Sequence, residues 1–235
     1  MMVDKYAVKK YVAGKIGEQY IIPTLGVWER FEDIDFSKLP NQFVLKCTHD
    51  SGGLVICRDK SKFNMESAQK KITKCLKHNY YYGQREWPYK NVPPRIIAEQ
   101  YMENLQIAKE MKSCPNEFQF WCFNGVPKFV SAIFQPHGEN LKCTYDMNWK
   151  RLPFVTSKPI YEFDLDRPAD FQMMKSFAEK FCEGQPFVRV DFMIYNSKVY
   201  FGELTKFPAS ALVNWYPSKM DLILGSWIDL PNKEN

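Results

Sequence analysis

The sequence predicts an α+β protein built on antiparallel sheets, and three observations carry that expectation. Two β-rich runs, 187–195 and 199–207, flank the polar break Asn196-Ser197-Lys198, the signature of a hairpin. A second pair, 117–123 and 127–134, flanks Asn124-Gly125, the strongest hairpin-turn dipeptide in the chain. Segments with apolar residues at helical spacing separate these pairs, as in Phe171, Met174, Phe177, Ala178 and Phe181, stopped by Gly184.

Composition sets the class. The 235 residues are 45% hydrophobic and 16% aromatic, enough for one large or two small cores and too apolar for a disordered chain. No apolar run reaches the roughly 18 residues of a membrane span. Met-Met-Val-Asp-Lys-Tyr at the start lacks a signal core, so a cytoplasmic protein is expected. The seven cysteines are scattered, without a Cys-x-x-Cys pair, and read as reduced residues whose spacing predicts no zinc site. The net charge of +5 is concentrated in Arg58, Lys60, Lys62, Lys70, Lys71, Lys74 and Lys77. With no nucleic-acid motif nearby, that cluster reads as a solvated helix face.

In order, residues 4–17 read as a helix capped by Asp4, and Ile21-Ile22-Pro23 leads into an extended segment through Trp28. Residues 41–47 and 54–57 read as strands joined by His49-Asp50-Ser51-Gly52-Gly53. Such a loop suits phosphates, because glycine lets backbone amides approach an anion, and Lys46 at the strand end adds a point charge. A plain hairpin turn is the simpler alternative; neither a P-loop nor a Gly-x-Gly-x-x-Gly fingerprint occurs. Asn64 caps a helix with Met65, Ala68, Ile72, Cys75 and Leu76 as its buried stripe. Residues 95–102 read as a strand, 135–165 as irregular, and 218–223 as a short helix.

The last hairpin holds the candidate chemistry. With a three-residue connection at Asn196-Ser197-Lys198, Asp191 lies opposite Glu203, and Arg189 opposite Thr205. A two- or four-residue connection sends Glu203 to the other face. Facing carboxylates repel, and a hard divalent cation relieves that cost. The plainer reading is an amphipathic hairpin with an ordinary ion pair.

Taken together, Asp4-Lys5, Ile22-Pro23, Val44-Leu45-Lys46, the glycine loop, Ile97-Ala98-Glu99, Arg189-Val190-Asp191-Phe192 and Glu203-Leu204-Thr205 resemble an ATP-grasp ligase. Within that superfamily the chain is similar to the TupA-like group linked to teichuronopeptide and surface-polysaccharide biosynthesis. The finer match lies in residues 21–28, Cys122-Phe123-Asn124-Gly125, Val188-Arg189-Val190-Asp191 and Phe201-Gly202-Glu203-Leu204-Thr205.

The resemblance implies an ATP-grasp fold: two α+β lobes with antiparallel sheets clasping a nucleotide, and an N-terminal domain shortened or absent. One ATP-grasp domain over 1–235 is implied, with 24–98 as the smaller lobe and 1–23 plus 99–235 as the larger. It assigns Lys46, His49, Ser51, Gly52 and Gly53 to the phosphates of ATP, and Glu99, Gln100 and Tyr101 to the hinge that meets adenine. Arg189 falls beside the transferred phosphate, where with Lys46 it would serve catalysis. Asp191, Glu203 and Thr205 become Mg2+ ligands, although many relatives carry Asn where Thr205 stands.

The implied reaction activates a carboxylate as an acylphosphate, which an amine then attacks. By association the acceptor is a uronic-acid carboxylate of a bacterial surface polysaccharide, and the amine an amino acid or peptide. Either the short N-terminal region suffices, or a partner or a second copy in a homodimer completes the acceptor site. The rivals are a glycan-modifying glycosyltransferase, which should show a metal-binding Asp-x-Asp at a strand end where none is read here (Asp164-Leu165-Asp166 falls in the irregular segment), and a nucleotide-binding module without turnover.

Overall fold

The computed structural model describes residues 2–102, 115, 117–134, 141–156 and 164–230. The chain divides into two compact units, Met1–Glu103 and Asn104–Asn235.

In the first unit, β1 (Thr24–Trp28), β2 (Phe43–Cys47), β3 (Leu54–Cys57) and β4 (Ile96–Gln100) form an antiparallel sheet in the order β1-β4-β2-β3. The period of two along β2 places Phe43, Leu45 and Cys47 on one face, fully buried, and Val44 and Lys46 on the other. The apolar face packs with Phe31, Ile34 and Leu39 and with Ala68 and Ile72 of α2 (Met65–Leu76). Asn64 caps α2 by accepting from the Ser67 amide at 2.9 Å. Met65, expected in the buried stripe, is exposed, whereas Lys62, Lys70, Lys71, Lys74 and Lys77 form the anticipated solvated face.

Helix α1 (Ala7–Ile16) starts three residues later than its sequence suggests. Asp4 lies before it and caps from there, its Oδ1 accepting the amides of Tyr6 and Ala7 at 2.9 and 3.1 Å. Residues 1–23 belong to this unit and not with the larger lobe, since the Lys5 amide donates to Thr48 O and Arg95 pairs with Asp4 at 2.7 Å. A short helix, α3 (Tyr80–Gln84), follows α2.

In the second unit, β5 (Glu117–Phe123), β6 (Val126–Phe134), β7 (Leu141–Asp146), β8 (Arg151–Leu152), β9 (Phe187–Tyr195) and β10 (Lys198–Thr205) form a sheet in the order β10-β9-β5-β6-β7-β8. Helix α4 (Phe171–Cys182) covers one face. The Phe120 ring lies 5.8 Å from both Phe171 and Phe192, and Phe181 lies 5.8 Å from Phe201. Each such side chain contributes about 1.5–3 kcal/mol when fully buried. On the opposite face, Trp121, Phe123, Phe129 and Phe187 pack under the C-terminal segment through Trp215, Trp227 and Leu224 of α5 (Lys219–Gly225).

Two expectations are corrected here. Residues 135–165 are not irregular throughout, because β7 and β8 lie within them. The β9–β10 connection has two residues, with Lys198 paired to Tyr195. Asn196 and Ser197 both take positive φ, 48° and 59°, which lets a two-residue turn match the twist of its strands. That register alone would send Glu203 away from Asp191. A bulge between Phe201 and Leu204 inserts one extra residue and restores the pairing, so Thr205 ends opposite Arg189.

Candidate functional site

Each unit carries a compact charged cluster. In the first unit the β2 face bearing Val44 and Lys46 meets the β4 face bearing Ile97 and Glu99. Lys46 Nζ lies 2.6 Å from Glu99 Oε2, and Lys9 Nζ from α1 lies 2.5 Å from Glu99 Oε1 and 2.7 Å from Ile22 O. Glu99 is buried. Burial alone would raise its pKa, but the attraction of Lys46 and Lys9 outweighs that and holds the carboxyl below its ordinary range. Burial outweighs the pull of Glu99 on Lys9, whose ammonium is held below the usual lysine range. Lys9 was missed from sequence; the available signal was a lysine beside the buried stripe Val8, Val12 and Ile16.

The loop residues are engaged within the unit. Asp50 accepts from the Gly53 amide at 3.0 Å and the Gly52 amide at 3.3 Å. His49, named for the phosphates, is buried, with Nε2 3.2 Å from the carbonyls of both Cys75 and His78. Ser51 is exposed. At the hinge, the Gln100 amide donates to Pro23 O at 3.0 Å and the Tyr101 hydroxyl accepts from Arg58 Nε at 3.2 Å. This cluster therefore unites Lys46 with Glu99, and leaves His49 facing α2 instead.

In the second unit, Arg189 gathers the acidic residues. Its Nε donates to Asp191 Oδ1 at 2.8 Å, and its Nη2 to Asp191 Oδ2 at 2.5 Å and to Glu203 Oε1 at 2.7 Å. Thr205 Oγ1 donates to the same Glu203 oxygen at 2.9 Å. The guanidinium lies over the Trp121 ring, 5.9 Å from its centroid. Burial pushes the Asp191 carboxyl up to about 7; Arg189 opposes the rise, and Glu203 and Glu117 add to it. Sheet pairing continues the row from Asp191 through Gln119 and Ser131 to Thr144, all buried. Lys142, on β7, is depressed by burial and then by Arg189, and it donates to Thr156 Oγ1 at 3.2 Å. Sequence reading missed this cation because β7 went unrecognised.

Two carboxylates and a hydroxyl on adjacent strands are hard oxygen donors, the set that suits Mg2+. Asp164 of the Asp-x-Asp triplet instead pairs with Arg151 at 3.6 Å, and Asp166 is exposed.

The family described as TupA-like ATPgrasp matches residues 1–229. The chain belongs to the TupA-like ATP-grasp family. Among solved structures, phosphoribosylamine–glycine ligase from Thermotoga maritima superposes with a TM-score of 0.51 at 14% identity, covering 90% of this chain and 51% of that one. D-alanyl-alanine synthetase A from Vibrio cholerae gives 0.51 at 12% identity, covering 90% and 57%. The fold is thus ATP-grasp, in two units that each carry an antiparallel sheet. This TupA-like chain spans only 51% and 57% of the lengths of those two ligases. No curated protein matches it.

Proposed function

We propose that this protein is an ATP-dependent carboxylate–amine ligase that forms an acylphosphate and releases ADP. The observation that carries the reading is the family match across residues 1–229, joined to the opposite charge surplus of the two clusters. Lys46 and Lys9 carry one more positive charge than Glu99 neutralises, which suits the phosphates of ATP. When both are ionised, Asp191 and Glu203 carry one more negative charge than Arg189 neutralises, which suits Mg2+. With Thr205 they would hold that ion, which supplies charge neutralisation at the transferred phosphate when bound.

The chain's own residues contribute positioning. Lys46 exchanges its carboxylate partner for a phosphate oxygen, while Lys9 keeps Glu99 paired. Arg189, fixed by Asp191 and stacked on Trp121, offers its remaining N–H groups to the transferring phosphoryl group. Gly52 and Gly53 amides, now held by Asp50, reach phosphate only if the 49–53 turn rearranges. Phosphoryl transfer asks for this kind of placement and neutralisation more than for a protein nucleophile.

By family association the substrates are an amino acid or peptide amine and a uronic-acid carboxylate of a surface polysaccharide. Incubation with ATP, Mg2+ and panels of uronic acids and amino acids, with ADP and AMP assayed separately, tests the reading. Acceptor-dependent ADP release is expected. ATP binding without turnover on any panel favours the nucleotide-binding module, and AMP release overturns the acylphosphate route.

A further inference from the structure

We propose that Cys47, Asp50 and Cys75 form a binding site for a thiophilic divalent cation such as Zn2+. Their ligand atoms, two thiol sulfurs and a carboxylate oxygen, all lie within 4.8 Å of one another. Three separate elements deliver them: the end of β2, the turn after it, and the last turn of α2. Cys47 and Asp50 are buried and Cys75 is half-buried.

The local structure holds these groups in place without any ion. Amides of Gly52 and Gly53 fix the Asp50 carboxylate, and Lys5 Nζ donates to the Asp50 carbonyl. A Cβ at Gly53 would lie 2.7 Å from Cys47 Sγ, so the turn closes directly on the sulfur. Cys47 Sγ lies 3.9 Å from Ile72 O and shares a hydrogen bond with the Cys75 thiol, which also bonds the Asp50 carboxylate, so the three groups already face one another. His49 acts as an outer partner. Its Nε2 faces the carbonyls of Cys75 and His78, so the ring proton resides on Nε2, and the Cys75 backbone is oriented by it. The buried Nδ1 has no partner among the described residues.

The donor set decides the class of ion. Mg2+ and Ca2+ take oxygen ligands, whereas two sulfurs with one carboxylate and an open fourth position match Zn2+. Burial pushes the Cys47 thiol up to about 12, and the Asp50 charge adds to the rise; Cys75 rises for the same two reasons. A sulfur binds the cation as thiolate, so each thiol releases its proton to solvent on binding. Cysteine spacing argued against a zinc site, because residues 47, 50 and 75 lack the paired spacing of known zinc motifs. The site joins the 49–53 turn to α2, and the metal-binding test below does not depend on ligase activity.

The test uses the full chain, reduced and stripped with a chelator, and titrated with Zn2+ against a chromophoric competitor. Co2+ serves as the spectroscopic probe. One Zn2+ per chain and a thiolate-to-cobalt charge-transfer band are expected. Cys75→Ser should lose the band and weaken Zn2+ binding at least as much as the roughly 10–100-fold cost of losing an outer-shell partner. Cys57→Ser removes a buried thiol outside the group and should retain both. Cys75 is half-buried, so its variant serves if Cys47→Ser fails to fold. The proposal is overturned by absence of stoichiometric uptake, by an unchanged Cys75→Ser protein, or by binding that survives Cys75→Ser but is lost in Asp191→Asn.

Discussion

The two units carry charge triads of opposite composition. In Met1–Glu103 one carboxylate, Glu99, lies between two lysines; in Asn104–Asn235 one guanidinium, Arg189, lies between two carboxylates. In both, the surplus charge sits on the more exposed of the two like groups. The Lys46 side chain is 28% exposed against 14% for Lys9, and Glu203 is 53% exposed against 5% for Asp191. A buried, uncompensated charge is costly. Pairing the deep member and presenting the shallow one keeps that cost low while leaving each unit ready for a ligand of opposite sign. On the proposed ligase reading, the first unit's surplus suits phosphates and the second's a hard cation.

Neutralising the acidic surplus should have the largest effect. Asp191→Asn and Glu203→Gln each leave Arg189 with one carboxylate. ATP turnover should fall by at least about 100-fold, the scale of losing one preorganised electrostatic contact. Mg-ATP at about 100 times its Kd should stabilise the wild type by about 2.7 kcal/mol and the variants far less. If wild type and variants all melt at the same temperature with and without Mg-ATP, the triad is only a structural ion pair.

Removing the central group of the other triad tests stability and not chemistry. Glu99→Gln leaves Lys9 and Lys46 facing without a carboxylate. The cost should be about 2–3 kcal/mol, below the full value for a buried pair because Lys46 is partly solvated. The sign with pH follows from the lowered pKa of Glu99. Its stabilisation is complete above the ordinary glutamate value of about 4.3 and is lost as pH falls through the lower folded value. Chemical denaturation across that range should show the wild type losing its advantage over Glu99→Gln as acid is added. Parallel stability curves would mean the lysines do not hold Glu99 ionised.

Lys46→Ala should weaken ATP binding by roughly 10- to 100-fold, the worth of a charged hydrogen bond, with the fold intact. Calorimetry on the folded variant measures this directly. Lys9→Ala should have the smaller effect on ATP, since Lys9 is the deeper member and serves chiefly to hold Glu99. Equal losses would erase the distinction between deep and shallow members.

The smallest effect concerns the bulge that aims Glu203. A Cβ at Gly202 would come within 3.0 Å of the Asp191 carbonyl oxygen. Gly202→Ala should therefore cost about 1 kcal/mol as the backbone shifts. It should also loosen the Glu203–Arg189 pair, read as a modest loss of Mg2+ affinity. An unchanged protein would show that the bulge does not set the position of Glu203.

Much of the molecule was legible because its signals are local. Asn124-Gly125 takes φ of 48° and 77°, the turn its composition demands, and the Phe171–Phe181 stripe is buried against the sheet. Strand β7 went unread although Leu141, Cys143 and Tyr145 alternate with Lys142, Thr144 and Asp146; the period of two is short and its polar members are buried or only partly exposed. Other features required the tertiary structure. Glu203 returns to the face of Arg189 through a bulge whose extra residue leaves no compositional mark beyond Gly202. Glu99 meets Lys9 and Lys46 because β4 inserts between β1 and β2, bringing together residues 90 and 53 positions apart in the chain. Periodicity and turn chemistry act over a few residues and can be read along the chain. Which distant side chains come within 3 Å depends on strand order and register, and those are set by the packing of the whole unit.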